Sequence, residues 1–442
     1  MIKAPETYSQ QLERMFYGDP RFSERSVKTV TFQVTEDCTL RCTYCYQPVK
    51  YSHYMDFNTA KRAVDVLFEM ANDPESVLSY QKTGAIIIDF IGGEPFLAID
   101  LITEIIDYIE QRLLETNSPW LLFHRYSFSS NGTLYFDDRV QALIKKYSDL
   151  LSIAITVDGN KALHDSCRLF PDGRGSYDIA IKAALDIKDR FNSKSTKITL
   201  SPENISQLSD AILNMWSLGF NYVHANCCFE EGWELTHAQI FYKELKALAN
   251  HILDNALWEE CGTSLFAEDI FTPYTEDNDQ NYCGGTGDMI AVDYRGIFYP
   301  CIRYMPSSLN GEQPPLIIGS IERGIYKTEE DRQVLKELKA ITRSSQSTEE
   351  CNNCPIAGGC AWCSGYNYQK FGTANKRATF ICVMHKARAL ANLYFWAKYY
   401  AKCPSEEVRF ENHLTDKIAL EIISEEEWMN LQNQWGNLHK KL

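Results

Sequence analysis

Three cysteines in the stretch Val34–Tyr46, VTEDCTLRCTYCY, are spaced to do metal chemistry: Cys38, Cys42 and Cys45, in the pattern C-x3-C-x2-C. Each offers one soft anionic sulfur, and three on one loop can hold three corners of a cubane iron–sulfur cluster. The fourth corner then lacks a protein ligand and stays open to a small molecule. A structural zinc would want a fourth ligand close by, and the nearest histidine, His53, lies eight residues past Cys45.

A second cysteine field runs from Cys283 to Cys382 and holds Cys283, Cys301, Cys351, Cys354, Cys360, Cys363 and Cys382. Paired C-x2-C units also occur in zinc knuckles, but the five residues between Cys354 and Cys360 are few for a zinc ribbon, and seven is an awkward ligand count. Other candidates are the segment Gly92-Gly93-Glu94-Pro95, the polar run Ser129, Ser130, Asn131, Gly132, and Arg168. Two glycines let a backbone approach a ligand, and a carboxylate can accept from an ammonium group. Each has a plainer alternative: a turn at Gly92–Pro95, turn chemistry at Ser129–Gly132, and an exposed helix-surface arginine at Arg168.

The elements that must position these residues alternate along the chain. Strand-like runs fall at Thr29–Glu36, Ala85–Phe90, His124–Ser130, Leu151–Val157, Lys197–Ser201 and Asn221–Cys227. Helical periodicity lies between them, at Thr59–Met70, Ile102–Leu114, Asp138–Lys146, Asp178–Arg190 and Gln207–Leu218. Six strand–helix repeats with buried strands predict an α/β fold, a parallel sheet curving into a partial (βα)6 barrel. Ligands of such sheets sit at the C-terminal strand ends, and Cys38 directly follows the first strand. The predicted organisation is an N-terminal extension over 1–27, the barrel over 28–230, a bridging helical region over 231–275, a cysteine-rich domain over 276–390 and a helical tail over 391–442. Trp428 and Trp435 of the tail are expected to pack. The pair Cys227-Cys228 on the last strand suits a buried position better than a substrate contact, and His164 and Asp165 suit tying a loop down.

Composition is that of an ordinary globular chain: 442 residues, 45% hydrophobic and 23% charged. The N-terminus shows no signal peptide, and no run of about 18 apolar residues predicts a membrane span. Fifteen cysteines in such a chain argue for metal ligation in a reducing, cytoplasmic setting rather than for disulfides. The net charge of -15 argues against a nucleic-acid partner, which would need clustered Lys and Arg.

The C-x3-C-x2-C spacing, with Tyr44 before its last cysteine, resembles the radical S-adenosylmethionine (radical SAM) superfamily. That resemblance implies a 4Fe-4S cluster on Cys38, Cys42 and Cys45 whose open iron takes the amino and carboxylate groups of SAM. Reductive cleavage would then yield a 5′-deoxyadenosyl radical under anaerobic conditions. It also implies SAM contacts by Tyr44, by Gly92, Gly93, Glu94 and Pro95 toward the amino group, by Ser129 and Asn131 near the ribose, and by Arg168 on the carboxylate.

The second field resembles the SPASM domain, which carries two auxiliary 4Fe-4S clusters. The family pattern would place Cys351, Cys354, Cys360 and Cys382 on one cluster and Cys283, Cys301 and Cys363 on the other. Here two residues separate Cys360 from Cys363 where the family has three, which bears on Cys363. Thr275–Tyr282 contains no eighth cysteine, and Cys261 is more than twenty residues upstream. The second auxiliary cluster would thus keep an open iron for a substrate thiolate.

Four longer stretches, TFQVTEDCTLRCTYCYQ, TVDGNKALHDSCRLFPDGRGSYD, CGGTGDMIAVDYRGIFYPCIRYM and CPIAGGCAWCSGYNYQKFGTANKRATFICVMHKARALAN, resemble the SPASM peptide maturases of CXXX-repeat targets. The implied activity is thioether formation in a cysteine-containing, ribosomally synthesised precursor peptide, of the sactipeptide or ranthipeptide type, with electrons from a flavodoxin- or ferredoxin-type donor. Within enzymes, the alternative is maturation without a crosslink, as in formylglycine formation or epimerisation. Outside them, it is an iron–sulfur electron carrier or redox sensor, which would not need GGEP and Arg168. Only 37 residues precede Cys38, too few for a leader-binding winged helix of roughly 80 residues.

Overall fold

The computed structural model describes residues 5, 10–11, 26–230, 232–404 and 406–439. The expected N-terminal extension over 1–27 and the signal-peptide question therefore lie almost wholly outside the described residues. Four parallel strands open the fold: β1 (Ser26–Gln33), β2 (Thr83–Ile91), β3 (His124–Ser130) and β4 (Leu151–Ile155). β2, TGAIIIDFI, is apolar almost throughout because both of its faces are covered.

The covering helices are amphipathic. In α1 (Phe57–Ala71) the side chain of Asp56 caps the start by accepting from Thr59 N at 3.0 Å. In α2 (Ile99–Glu115), Ile102, Ile105, Ile106, Ile109 and Leu113 recur at helical spacing and are buried. α3 (Asp138–Tyr147), α4 (Lys161–Cys167), α5 (Tyr177–Arg190) and α6 (Leu208–Ser217) complete the alternation.

The strands do not form the one continuous sheet that the sequence predicts. β5 (Ser195–Leu200) and β6 (Tyr222–Cys227) pair with β7 (Gly262–Thr263) in a separate three-stranded sheet. The seam is bridged by a side chain: Asp158, just past β4, accepts from Thr199 N at 3.0 Å. β4 also ends two residues earlier than expected, which turns Asp158 toward that seam.

α7 (Leu235–Asp254) lies within the predicted bridging region. From the cysteine-rich region, β8 (Met289–Val292) adds parallel to β1, and β9 (Ile297–Tyr299), β10 (Gly319–Ser320) and β11 (Gly324–Ile325) continue the sheet antiparallel. The two parts therefore share one backbone ladder. α8 (Ser364–Phe371) follows the third C-x2-C-type pair, and α9 (Cys382–Lys402) packs against α7, buried almost all round. α10 (Asp416–Ile422) and α11 (Glu425–His439) cover it, with Trp428 and Trp435 buried as expected and Trp428 Nε1 donating to Asp416 at 2.7 Å.

Candidate active site

A cavity of about 370 Å³ opens at the C-terminal ends of the barrel strands. Cys38, Cys42 and Cys45 line it, on the loop after β1. That loop is fixed by backbone bonds to the end of α4: Arg41 N to Leu169 O at 2.7 Å and Thr43 N to Cys167 O at 2.9 Å. Burial pushes the Cys38 thiol up to about 11 and raises that of Cys42, with Arg168 pulling Cys42 back. Leu40 N donates to Cys38 Sγ at 3.4 Å, and Lys50 Nζ donates to Cys45 Sγ at 3.1 Å. Because a metal ligand must be a thiolate, metal uptake here would release protons.

Gly92 and Gly93 line the same cavity. A Cβ on Gly93 would lie 2.3 Å from Asp37 O and 2.7 Å from Cys38 Cβ, so only glycine lets the β2 loop lie against the cysteine loop. Glu94 and Pro95 stand behind the wall, fully or nearly buried. The Glu94 carboxylate accepts from Ser130 Oγ at 2.8 Å, Asn131 N at 2.8 Å and Phe96 N at 3.2 Å. Burial raises its pKa against those three donors. The side chain that resembles an ammonium partner thus ties β2 to β3. Ser129 and Asn131 do line the cavity, and Asn131 Nδ2 donates to Thr39 Oγ1 at 3.0 Å.

Arg168 is buried at the end of α4 rather than exposed on a helix, and it lines the cavity. Its Nη1 donates to the Tyr44 hydroxyl at 2.8 Å, and that hydroxyl donates to the fully buried Asp158. Arg168 Nε has no partner among the described residues. His164 is structural, as expected: Nδ1 accepts from Asp158 N at 3.2 Å and Nε2 bonds Ser176 Oγ at 2.9 Å. Asp165 accepts from Tyr177 N at 2.9 Å.

The rest of the wall escaped the sequence reading. Lys197 and Asn226 reach the cavity from β5 and β6, and Glu230, Arg303 and Cys363 also line it. Enclosure by protein lowers the Lys197 pKa, with Asp158 opposing. The only signal for the β5–β6 positions was polar residues on the inward face of strands that should be apolar there. Cys228 lines the cavity while Cys227 packs against the hydrophobic core.

The second field sorts into two groups. A Cβ on Gly285 would lie 3.0 Å from Cys301 Sγ and 3.6 Å from Cys283 Sγ, so these thiols flank one point. Burial raises the Cys301 thiol, and neighbouring Cys363 and Cys283 add to it. The short spacing after Cys360 thus does not keep Cys363 from this group: it caps α8 and its sulfur accepts from Tyr366 N at 3.4 Å. Cys351, Cys354, Cys360 and Cys382 line a different cavity of about 620 Å³. Burial pushes Cys360 up to about 12 and Cys382 to about 11.

Buried donors without partners among the described residues surround these groups: Arg377 Nε and Nη2 by one, Arg303 Nε and the Tyr304 hydroxyl by the other. Such donors fit an anionic group. No three His, Cys, Asp or Glu among the described residues converge as ligands of a single ion; a four-iron cluster spreads its ligands wider. Cys261 is not among the residues that line either cavity. It precedes Gly262, which pairs with Tyr222 at the start of β6, whereas Asn226 and Cys228, at the other end, line the cavity.

Residues 32–214 match the radical SAM superfamily. A cysteine-type anaerobic sulfatase-maturating enzyme of Clostridium novyi is 23% identical over 350 residues, covering 75% of this chain and 85% of that protein. An uncharacterized protein of Methanocaldococcus jannaschii is 27% identical over 193 residues, 44% of this chain and 60% of that protein. Among solved structures, native anSMEcpe with bound AdoMet and Cp18Cys peptide superposes with a TM-score of 0.61 at 18% identity, over 86% of this chain and all of that one. Streptococcus suis SuiB bound to precursor peptide SuiA gives 0.51 at 13% identity, over 84% and 79%. At such identities the likeness establishes the fold.

Proposed function

We propose that the chain, whose residues 32–214 match the radical SAM superfamily, cleaves SAM reductively and forms thioethers in a cysteine-containing, ribosomally synthesised precursor peptide. The observation that carries this reading is the cavity itself: Cys38, Cys42 and Cys45 line the same space as Cys363 of the second field. Clusters on these thiols would supply the electron for SAM cleavage, delivered by a flavodoxin- or ferredoxin-type donor, and take up the electron that the crosslinked substrate gives up.

The chain's residues bind and orient. Arg168 offers the SAM carboxylate a guanidinium held in place by Tyr44, and the backbone at Gly92 and Gly93 admits the methionine part. Ser129 and Asn131 face the ribose. Asn131 is fixed there by Glu94, so Glu94 serves SAM from behind. Pro95 sets the turn that presents this segment. Cys351, Cys354, Cys360 and Cys382 would hold one auxiliary cluster, and Cys283, Cys301 and Cys363 would hold the other, leaving it able to take up the substrate sulfur.

The balance is simple. The acceptor carbon gives its hydrogen atom to the 5′-deoxyadenosyl radical, the cysteine loses its thiol proton, a carbon–sulfur bond forms and one electron leaves. Reduced enzyme with SAM and peptide should yield 5′-deoxyadenosine and a product lighter by two hydrogens per crosslink that resists thiol alkylation. A Cys-to-Ser peptide should give neither mass loss nor crosslink. The 23% identity over 350 residues to a sulfatase-maturating enzyme favours a second reading, oxidation of a cysteine to formylglycine. A product that reacts with hydrazides as an aldehyde would establish that one instead.

A further inference from the structure

Arg303 stands where three elements meet. It lies two residues past Cys301, and its backbone N–H donates to Cys301 Sγ at 3.4 Å. Its guanidinium donates to Glu230 at 2.9 Å, in the loop after β6. The same guanidinium lies 4.7 Å from the ring centroid of Tyr46, the residue after Cys45, and 5.8 Å from that of Tyr366 in α8. Gly365 lets α8 come this close, since a Cβ there would fall 2.3 Å from Arg303 Cβ. The Arg303 side chain is 12% exposed, and its Nε is buried without a partner among the described residues.

Arg303, Glu230 and Cys363 all face the cavity. An exposed ion pair would matter little. Here the Arg303 side chain is enclosed while Glu230 stays 35% exposed, and Arg303 is anchored beside the thiol group by its own backbone bond to Cys301.

We propose that Arg303 is a positioning residue that holds the Cys283–Cys301–Cys363 centre against the cavity wall and raises its reduction potential, with Glu230 setting how much of the Arg303 charge that centre feels. The inference rests on the cluster assignment made above. Reduction adds a negative charge to the centre, which a nearby cation stabilises more strongly in a water-poor wall than in solvent. Removing the cation and removing its counter-charge must therefore act in opposite directions.

The test uses the full chain with its clusters reconstituted, as Arg303→Met, Arg303→Lys and Glu230→Gln. Iron is counted, and the potential is measured by titration with electron paramagnetic resonance, following the signal that Cys283→Ser abolishes. Arg303→Met should shift the potential down, Glu230→Gln should shift it up, and Arg303→Lys should fall between wild type and Arg303→Met. If Arg303→Met sheds this iron, Arg303→Lys and Glu230→Gln carry the comparison. Shifts of equal sign, or none, with iron content intact overturn the proposal. If Cys283→Ser, against wild type, removes neither signal nor iron, the cluster assignment is overturned instead, so the two failures are distinct.

Discussion

The Arg168 guanidinium donates to the hydroxyl of Tyr44 at 2.8 Å across 124 residues of chain. This bond makes the cysteine loop and the end of α4 one unit. It also keeps Arg168 from closing directly on Asp158, whose nearer carboxylate oxygen lies 4.0 Å from Nη1.

Tyr44→Phe should therefore let Arg168 pair with Asp158 and withdraw from the cavity. Losing one charge-assisted contact to the SAM carboxylate costs about 1.4 kcal/mol, or roughly tenfold in affinity. Calorimetric titration of SAM into a variant with wild-type iron content checks this. Unchanged affinity would show that the Tyr44 hydroxyl does not orient Arg168.

Replacing Cys38, Cys42 and Cys45 together by Ala should remove about four irons and all 5′-deoxyadenosine formation, while the iron of the second field stays. Gly93→Ala should mimic this loss, because its Cβ would meet the backbone of Asp37 and Cys38. Iron counting and product chromatography decide both.

Cys261→Ser should leave the iron content unchanged, since Cys261 lies by the start of β6. Cys283→Ser should lower it. A loss of iron in Cys261→Ser would mean that the Cys283 group has a fourth protein ligand and no open position.

Glu94→Gln should cost stability, because an amide nitrogen cannot accept from Asn131 N or Ser130 Oγ. The expected loss is about 1–3 kcal/mol, from one buried donor left unpaired. A lowered urea midpoint, with weaker SAM binding following from a displaced Asn131, is the readout.

Burial lowers the pKa of His164 from 6.5 to about 3. Its Nδ1 must accept from Asp158 N, so the folded chain keeps it neutral. The unfolded chain takes up a proton below pH 6.5 that the folded chain refuses. Stability from this site is therefore full above that pH and is lost as pH falls through the window from 6.5 toward 3, by about 1.4 kcal/mol per unit. His164→Gln should remove that increment from the slope of stability against pH between 6.5 and 5, measured by denaturation.

Chemistry encoded by local spacing was legible in the chain alone. Cys38, Cys42 and Cys45 sit on one loop, the glycines at Gly92 and Gly93 adjoin a strand end, and hydrophobic periodicity marks strands and helices to within a few residues. Each of these signals is local: a repeat or a spacing among near neighbours. Tertiary structure alone decided what depends on distant segments meeting. The ladder stops between β4 and β5, and Asp158 bridges the gap to Thr199 over 41 residues. β8 extends the sheet at β1, although β1 ends at Gln33 and β8 begins only at Met289. Arg303 meets Glu230 across 73 residues, and Glu94 meets Asn131 rather than the cavity. A charged side chain's role depends on which partner packing delivers to it, and no spacing within the sequence records that.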